Sequence, residues 1–304
     1  MLELNIKNET STLKAVVLGT AVSNGPQPTL EEAYDPKSVQ HILRGTYPKE
    51  EDMVAEMEAV AKVLEKYNVK VFRPKVIEDY NQIFSRDIAF VIEDKLIKAN
   101  ILPDREKEYE AIKHVINQID SNKIITLPEA CHIEGGDVMP WNDYIFIGTY
   151  TGKDYSDFIT ARTNKEAVEE IRTLFPNKKV ISFELRKSNT DPKENALHLD
   201  CCFQPIGKDK AIIHKNGFLI DEEYNWLINF FGKENVFEID KNEMYHMNSN
   251  IFSISEDVII SEKNFTRLNT WLRNHGFTVE EVPYAEIAKQ EGLLRCSTLP
   301  LIRE

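Results

Sequence analysis

Long apolar runs and clusters of basic residues are both absent from the sequence. The longest apolar stretches, such as AVVLGTAV from Ala15, fall far short of the ~20 residues that a membrane-spanning helix needs. The 37 lysine and arginine residues are outnumbered by 50 acidic residues, which gives a formal net charge of −13, and no basic run interrupts this excess. Nucleic acid and anionic membranes are therefore poor candidates for partners, whereas a small cationic substrate suits the charge.

Cysteine is scarce, and recognisable metal-binding spacings are missing. The chain has four cysteines, Cys131, Cys201, Cys202 and Cys296, and no CxxC or HxxxH spacing. The adjacent pair is not expected to bridge to itself, and no disulfide framework is indicated. Because the N-terminal segment has no apolar stretch typical of a signal peptide, we expect a cytoplasmic protein with reduced thiols.

The chain contains a unit that recurs about every 50 residues. Each unit begins with two short β-rich runs around a polar turn, which predicts a hairpin, and continues with a helix and a further strand. The clearest hairpins start at Asp87, Gly135, His198 and Ser249. Their expected turns are Glu93-Asp94, Asn142-Asp143, Gly207-Lys208 and Glu256-Asp257.

Helical spacing and β-rich runs complete each unit. Apolar periodicity predicts helices over 51–67, 105–119, 164–175, 221–231 and 265–275. Thr163 or Asn164 is the expected N-cap of the third of these helices, and Asp221 that of the fourth. Closing strands are expected in KVFRP, KIITLP, KVISFEL, NVFEID and TVEEVPY. The runs TLKAVVLGT and STLPLI, near the two ends of the chain, are expected to pair.

These elements make five ββαβ-like units in sequence order. We expect a single α/β domain over residues 1–304, built as a five-bladed propeller with pseudo-fivefold symmetry. A closed ring of units would protect the edges of the sheets. A two-layer α/β sandwich is the alternative architecture.

Polar clusters occupy equivalent positions in these units. Arg86-Asp87, Glu134-Gly-Gly-Asp137 and His198-Leu-Asp200 open the second, third and fourth units. Cys296 precedes the returning strand. A radial arrangement would bring these positions together at the axis, although they are 50 to 100 residues apart along the chain.

The histidine cluster suggests a shared face. His198 and Asp200 are two residues apart on an expected strand, so both side chains would point to one side. A polar, exposed strand edge is the ordinary interpretation of this pattern. Cys202 would lie on the same face, which makes it the one rival to Cys296 as a nucleophile.

The other clusters also have ordinary interpretations. Glu134 and Asp137 suit a turn, and Asp87 suits the solvated start of a strand. A lone cysteine such as Cys296 is commonly a small buried apolar side chain. Arg295 precedes Cys296, however, and a neighbouring cation would lower the pKa of the thiol.

A thiol, an imidazole and several carboxylates together suit chemistry on a guanidinium group. Carboxylates accept the donor fork of guanidinium bidentately, and fixing the group beside a thiolate offsets the low reactivity of its carbon. His198 would protonate the departing amine and later deprotonate water, while Glu134 holds the imidazole. The intermediate would be an S-amidino adduct of Cys296.

A metal site is the competing interpretation of the same residues. Its ligands would be drawn from Asp87, His132, His198, Asp200 and Cys202. The missing metal-ligand spacings disfavour it, and we expect neither a metal nor a cofactor.

The order of these motifs resembles that of the guanidino-group modifying family, also called the penteins. The matching pieces span nearly the whole chain: SRD (Ser85–Asp87), HIEGGDV (His132–Val138), ART (Ala161–Thr163), HLD (His198–Asp200) and RCSTLP (Arg295–Pro300). The family includes arginine deiminases, dimethylarginine dimethylaminohydrolases and amidinotransferases. The resemblance implies a five-bladed α/β propeller with a central active site.

The resemblance also implies roles for individual residues. Cys296 would be the nucleophile, His198 the general acid and base, and Glu134 its partner. The substrate would be bound by carboxylates and arginines, with Asp87 and Asp200 on the guanidinium, Asp137 nearby, and Arg162 or else Arg295 on a substrate carboxylate. One departure is that many relatives have a glycine-rich stretch before the cysteine, whereas this chain has GLLRC from Gly292.

Three functions remain open at this point. A hydrolase would resolve the amidino-cysteine with water, acting on arginine, methylarginine or citrulline; we favour this function. An amidinotransferase would resolve it with an acceptor amine such as glycine. A non-catalytic binding protein could share the fold without a reactive thiol. A homodimer is possible in each case.

Overall fold

The strands are short and distributed along the whole chain. The computed structural model describes residues 1–33 and 35–304. The strands of these residues are β1 (Leu13–Leu18), β2 (Lys70–Phe72), β3 (Ala89–Ile92), β4 (Lys95–Lys98), β5 (Ile124–Thr126), β6 (Val138–Trp141), β7 (Tyr144–Thr149), β8 (Lys179–Glu184), β9 (Phe203–Ile206), β10 (Lys210–Ile213), β11 (Val236–Glu238), β12 (Phe252–Ser253), β13 (Val258–Glu262), β14 (Thr278–Val282) and β15 (Thr298–Arg303).

The helices alternate with these strands. The α-helices of the described residues are α1 (Pro36–Leu43), α2 (Glu50–Lys66), α3 (Lys107–Ala111), α4 (Lys113–Ile116), α5 (Lys165–Leu174), α6 (Asp221–Phe231), α7 (Lys241–Tyr245) and α8 (Thr266–Asn274). Helix α2 buries Met53, Met57, Val60 and Leu64, as its helical spacing predicts.

The described strands form five three-stranded sheets, in the orders β15-β1-β2, β3-β4-β5, β6-β7-β8, β9-β10-β11 and β12-β13-β14. Every sheet repeats one plan, in which an antiparallel pair is extended by a strand parallel to its middle strand. The number of units and the pairing of the C-terminal run with β1 agree with the prediction. A two-layer sandwich would join the strands into continuous sheets, so these separate sheets contradict that alternative.

Tight hairpin turns lie where the polar dipeptides predict them. Glu93, Asn142 and Gly207 have φ values of 53°, 55° and 59°, in the left-handed region that short hairpin connections use. Each lies between the first two strands of its sheet. These turns set the register of the hairpins and hence the point where each hairpin begins.

Several local predictions are corrected by the structure. The helix expected over 105–119 is broken into α3 and α4 at Ile112, whose backbone leaves helical geometry. Asn164 caps α5 by accepting the backbone N–H of Ala167, so Asn164 is the N-cap. Asp221 is the first residue of α6 rather than its N-cap, which is Ile220.

The largest local correction concerns His198 and Asp200. His198 has an extended backbone, but Leu199–Cys201 form a turn of 3-10 helix before β9 begins. The two side chains therefore do not share the face of a strand. The 3-10 turn directs them to different neighbours.

Among the residues that the structure describes, no helix is both long enough and apolar enough to cross a membrane. This agrees with the short apolar runs of the sequence.

The packing of β15 generates a stability prediction. Leu301 is fully buried in a core that it shares with β1, β3 and the N-terminal segment. Leu301→Ala should lower the free energy of unfolding by about 2–5 kcal/mol, because it leaves a cavity at the seam between the chain ends. Urea unfolding followed by circular dichroism measures the change. The control Lys14→Ala, an exposed position on β1, should change it by less than about 0.5 kcal/mol.

Candidate active site

One short segment before the first strand of each sheet contributes a side chain to a common site. Asp87 precedes β3, Glu134 precedes β6, His198 precedes β9, and Cys296 precedes β15. Asn250, which precedes β12, was not predicted. All five residues are buried. The equivalent positions of the repeat are thus brought together, and the repeat itself was the signal that could have identified Asn250.

The imidazole of His198 is held by Glu134. Its Nε2 lies 2.7 Å from Oε2 of Glu134, and its Nδ1 lies 3.8 Å from Oδ1 of Asp87. Within the described chain, His198 Nδ1 and Asp87 Oδ1 have no hydrogen-bond partner. Buried polar atoms are rarely left unpaired, so both atoms are available to a ligand.

The two glycines after Glu134 allow this close approach. A Cβ on Gly136 would lie 2.5 Å from Nδ1 of His198, and a Cβ on Gly135 would lie 2.0 Å from the carbonyl oxygen of Arg86. Both distances are impossible for real side chains. These glycines therefore provide close approach of neighbouring groups, and neither has a positive φ.

Charges around the imidazole set its protonation. Burial alone would lower the pKa of His198, but the carboxylates of Asp87, Glu134 and Asp137 outweigh burial and raise it to about 9. Burial would raise the pKa of Glu134, yet Arg162 and the hydrogen bond with His198 together hold it below its usual range. An imidazolium–carboxylate pair is therefore the resting state near neutral pH.

The thiol of Cys296 is flanked by a donor and an acid. Asn250 donates from Nδ2 to Sγ over 3.1 Å and accepts from the backbone N–H of Cys296, while Oδ2 of Asp200 lies 3.6 Å from Sγ. Burial, then Asp200 and Asp87, raise the pKa of Cys296 well above its ordinary value.

Arg295 does not have the effect on this thiol that its position in sequence predicts. Its guanidinium is fully buried and bonded to Glu9 at 3.1 Å and to Asp200 at 2.9 Å. It also donates to the carbonyl oxygens of Gly136 and Val138. Because its charge is balanced there, the prediction that Arg295 lowers the pKa of Cys296 is wrong.

Two predicted substrate-binding carboxylates lie behind the site rather than on its surface. Asp200 bonds Arg295, and Asp137 accepts the hydroxyl of Thr163 at 2.6 Å and the backbone N–H of Leu199 at 2.9 Å. Burial raises the pKa of Asp137. Neither carboxylate, nor Arg295, is among the described residues that line the adjoining cavity.

Cys296, His198, Asp87 and Arg162 line a cavity of about 570 Å³, here called the acidic cavity. Arg162 donates to both carboxylate oxygens of Glu134, at 3.2 and 3.3 Å. The described lining includes eight acidic residues, namely Glu31, Glu32, Asp35, Asp79, Asp87, Asp104, Glu108 and Glu291. This excess of acid over two lining arginines suits a cationic ligand.

Arg105 is a lining residue that the sequence analysis missed. It donates to Oδ2 of Asp87 at 2.9 Å and to the carboxylate of Glu108 at 2.7 and 3.2 Å. Burial raises the pKa of Glu108 to about 7, although Arg105 opposes this effect. No motif marked Arg105, which lies in a 3-10 turn outside the repeated clusters.

The alternatives from sequence find less support at this site. Cys202 is fully buried behind the turn of His198, and burial raises its pKa far above the usual range. Asp87, Glu134 and His198 have potential metal-ligand atoms within 4.8 Å of one another, but His132, Asp200 and Cys202 are not part of this group. Arg105 and Arg162 already provide positive charge to the two carboxylates.

Five similar three-stranded sheets that contribute to one buried cluster of thiol, imidazole and carboxylates identify a guanidino-group-modifying protein of the pentein superfamily. A family model described as N,N dimethylarginine dimethylhydrolase, eukaryotic, matches residues 46–303. The chain therefore belongs to that family.

Individual relatives differ in their reported activities. The uncharacterized protein YkgA of Bacillus subtilis (strain 168) is 28% identical over 247 residues, 80% of this chain and 78% of that protein. An arginine deiminase of Pediococcus pentosaceus is 27% identical over 208 residues, which cover 57% of this chain but only 48% of the deiminase. SxtG, an amidinotransferase from Microseira wollei in the saxitoxin biosynthetic pathway, has a TM-score of 0.74 at 18% identity and covers 99% and 97% of the two chains, which shows a shared fold.

The contact between Gly136 and His198 yields a prediction. Gly136→Ala should push the imidazole away from Glu134, so the pKa of His198 should fall from about 9 toward its ordinary value. NMR titration of the histidine Cε1–Hε1 resonances measures this pKa. Lys14→Ala, at an exposed position on β1, should leave the His198 titration unchanged. An unaltered His198 pKa in Gly136→Ala would contradict the account.

The environment of Cys296 yields a second prediction. Because its pKa is raised, alkylation by iodoacetamide should be slow at neutral pH and should accelerate as pH rises beyond about 8.5, the ordinary thiol value. Asn250→Ala removes the donor to Sγ and should shift this profile to still higher pH. Peptide mapping identifies the alkylated cysteine. A profile with its midpoint below about 8 would be incompatible with the buried, acid-flanked thiol.

Proposed function

We propose that the protein is a hydrolase that removes a nitrogen group from the guanidinium of arginine or a methylated arginine through an S-amidino adduct of Cys296. Its immediate support is one observation: Cys296, Asp87 and His198 line the same acidic cavity, with Asp87 Oδ1 and His198 Nδ1 unpaired. Membership of the dimethylarginine dimethylhydrolase family and the similarity to an arginine deiminase agree with this reaction.

Substrate binding brings a positive charge to the thiol of Cys296. Oδ1 of Asp87 accepts an N–H of the guanidinium, which brings the cation beside Sγ of Cys296. A positive charge near the sulfur lowers the pKa of Cys296 and so favours the thiolate. Burial and Asp200 have the opposite effect and favour the thiol. The thiolate is therefore generated mainly when a cation occupies the cavity, and the proton of Sγ passes to solvent in this step, since His198 is already protonated.

The first half-reaction forms a C–S bond and breaks a C–N bond. The thiolate of Cys296 adds to the guanidinium carbon, and the tetrahedral intermediate collapses with loss of the amine. The amine takes the proton on Nδ1 of His198, while Nε2–H remains bonded to Glu134. The raised pKa of His198 keeps this acid protonated near neutral pH.

The second half-reaction uses the imidazole in its neutral form. Nδ1 of His198 accepts a proton from water, the hydroxide adds to the amidino carbon, and the C–S bond breaks to release the thiolate. The products are a ureido compound, such as citrulline, and ammonia or an alkylamine. Glu134 stabilises the imidazolium that is regenerated.

The two lining arginines favour a substrate with a carboxylate of its own. We retain Arg162 as a contact for that carboxylate and add Arg105, because both guanidinium groups line the acidic cavity. Arg295 and Asp200 are better understood as positioning residues for Cys296, since they bond each other away from the cavity lining. Asp137 has the same kind of role toward the turn of His198.

The repeat supports a wider proposal about the chain. Residues 1–304 form one catalytic unit in which the five sheets close into a propeller. Two features favour closure of the ring. Strands β15 and β1, from the two ends of the chain, share a sheet, and in every sheet the segment that precedes its first strand contributes a residue to the site.

An amidinotransferase is the second candidate function. The similarity of fold to the amidinotransferase SxtG favours it, and the same cysteine, histidine and carboxylates could form the same adduct. The two functions differ in whether water or an acceptor amine releases the amidino group.

A turnover assay separates these functions. Arginine, mono- and dimethylarginine and citrulline are each supplied with and without glycine, and ammonia, methylamines and ornithine are measured. We expect ammonia or methylamine without any acceptor, and a loss of about 1,000-fold or more in kcat for Cys296→Ser, because the nucleophile is removed.

The control for this assay is Cys202→Ser, which removes the rival thiol and should keep nearly full turnover. Ornithine formed only when glycine is present would identify an amidinotransferase. Full turnover in Cys296→Ser would refute the mechanism. Absence of turnover together with an unreactive Cys296 would indicate a non-catalytic binding protein.

A further inference from the structure

A second cavity shares two walls with the acidic cavity. It has a volume of about 650 Å³, and its lining includes four lysine and arginine residues, Lys37, Arg44, Arg267 and Lys289, together with three glutamates. His41 and His246 also line it. We call it the basic cavity. Its basic lining contrasts with the acidic charge of the protein as a whole and with the acid-rich cavity beside Cys296.

The acidic residues of the basic cavity are largely neutralised by local partners. Glu243 pairs with Arg267, and Glu286 pairs with Lys289 at 2.6 Å. Glu262 accepts two hydrogen bonds from Asn264, and burial raises its pKa. In the part of the chain that the structure describes, no carboxylate lies within ion-pair distance of Lys37 or Arg44. Since Arg267 and Lys289 are balanced by these same pairs, the positive charge that an anion can balance is that of Lys37 and Arg44.

Lys37 is the buried cation of this lining. It is only 3% exposed, and its ammonium group donates to the carbonyl oxygen of Tyr245 at 2.5 Å and lies over the Tyr245 ring. Burial disfavours the charged form of Lys37, whereas the nearby carboxylates of Glu291 and Asp35 favour it. Burial accordingly lowers the pKa of Lys37 to about 8.

The start of α8 adds to the positive potential. Phe265, Thr266 and Arg267 line the cavity, Phe265 provides no side-chain cap, and the first turn of α8 contains no acid. Uncapped backbone N–H groups at a helix start attract anions. The histidines respond to the same field: burial, then Lys37 and Lys289, lower the pKa of His41 to about 4.

We propose that the basic cavity binds a small oxyanion, of phosphate or carboxylate chemistry, and that its occupancy lowers the reactivity of Cys296. A volume of about 650 Å³ suits a small molecule. Arg44, Lys289 and Lys37 are the side chains placed to receive it.

The two shared walls provide the coupling. The first wall is α1: Asp35 and Ser38 line the acidic cavity, whereas Lys37 and His41 line the basic cavity. The backbone N–H of Lys37 also donates to the carboxylate of Glu291, which lines the acidic cavity.

The second wall is the segment that leads to the nucleophile. Within 288–293, Lys289 and Leu293 line the basic cavity, while Gln290 and Gly292 line the acidic one. Cys296 follows three residues after Leu293. An anion at Lys289 would therefore lie against this segment, and its negative charge would raise the pKa of the Cys296 thiol further.

Phosphate titration tests the proposal without requiring turnover. Inorganic phosphate is added to the full-length protein at fixed pH and constant ionic strength, with succinate as a parallel carboxylate series and chloride as the control. The Cε1–Hε1 resonances of His41 and His246 should shift saturably with phosphate, succinate or both, but not with chloride. The rate of iodoacetamide alkylation at Cys296 should fall by about twofold or more over the same concentrations.

Matched variants locate the site. Arg44→Gln combined with Lys289→Gln should weaken the apparent affinity by about tenfold or more and abolish the slowing of alkylation. Lys233→Gln, an exposed lysine elsewhere, should change neither. Absence of saturation, or equal affinity in the double variant, would overturn the proposed site. Saturable binding with an unchanged alkylation rate would overturn its coupling to Cys296. Neither readout requires turnover. Failure of the anion-site proposal can therefore be distinguished from failure of the hydrolase proposal.

Discussion

The buried guanidinium of Arg295 is the interaction on which the geometry of the site depends. It joins Glu9 near the N-terminus, Asp200 in the turn after His198, and the carbonyl oxygens of Gly136 and Val138. Because Cys296 is the next residue, these bonds fix the sulfur relative to segments that are distant in sequence. Breaking one partner of such a buried pair commonly costs about 3–5 kcal/mol, so the arrangement is held strongly.

This use of Arg295 leaves the thiol without a cation of its own. Burial, together with Asp200 and Asp87, instead raises the pKa of Cys296, while Asp87 and Glu134 raise the pKa of His198 against the effect of burial. In the mechanism that we propose, this thiol reacts slowly near neutral pH and is activated when a cation enters the cavity. The acid-rich lining and the buried thiol would then both select for a guanidinium.

The repeat was sufficient to predict much of this arrangement from sequence. Hairpins leave a local signature of alternating apolar residues and polar turns, and their repetition predicted the number of sheets. Placing Asp87, Glu134, His198 and Cys296 at equivalent positions followed from the same repeat. The bonding of Glu134 to His198 agrees with the role that chemistry suggested for that pair.

What sequence could not provide was the direction of individual side chains. Alternation along a strand would have placed the side chains of His198 and Asp200 on one face, but the 3-10 turn after His198 points them in different directions. Adjacency suggested that Arg295 acts on the sulfur, but its long side chain reaches across the core to Glu9. Arg105 was missed because only three-dimensional packing brings it to Asp87.

Diffraction from crystals soaked with arginine and methylarginine tests the central claim most directly. The account predicts continuous density from Sγ of Cys296 to a planar amidino carbon, with Oδ1 of Asp87 and Nδ1 of His198 in contact with its nitrogen atoms. A guanidinium bound away from an unmodified Cys296, or an adduct on another residue, would contradict it.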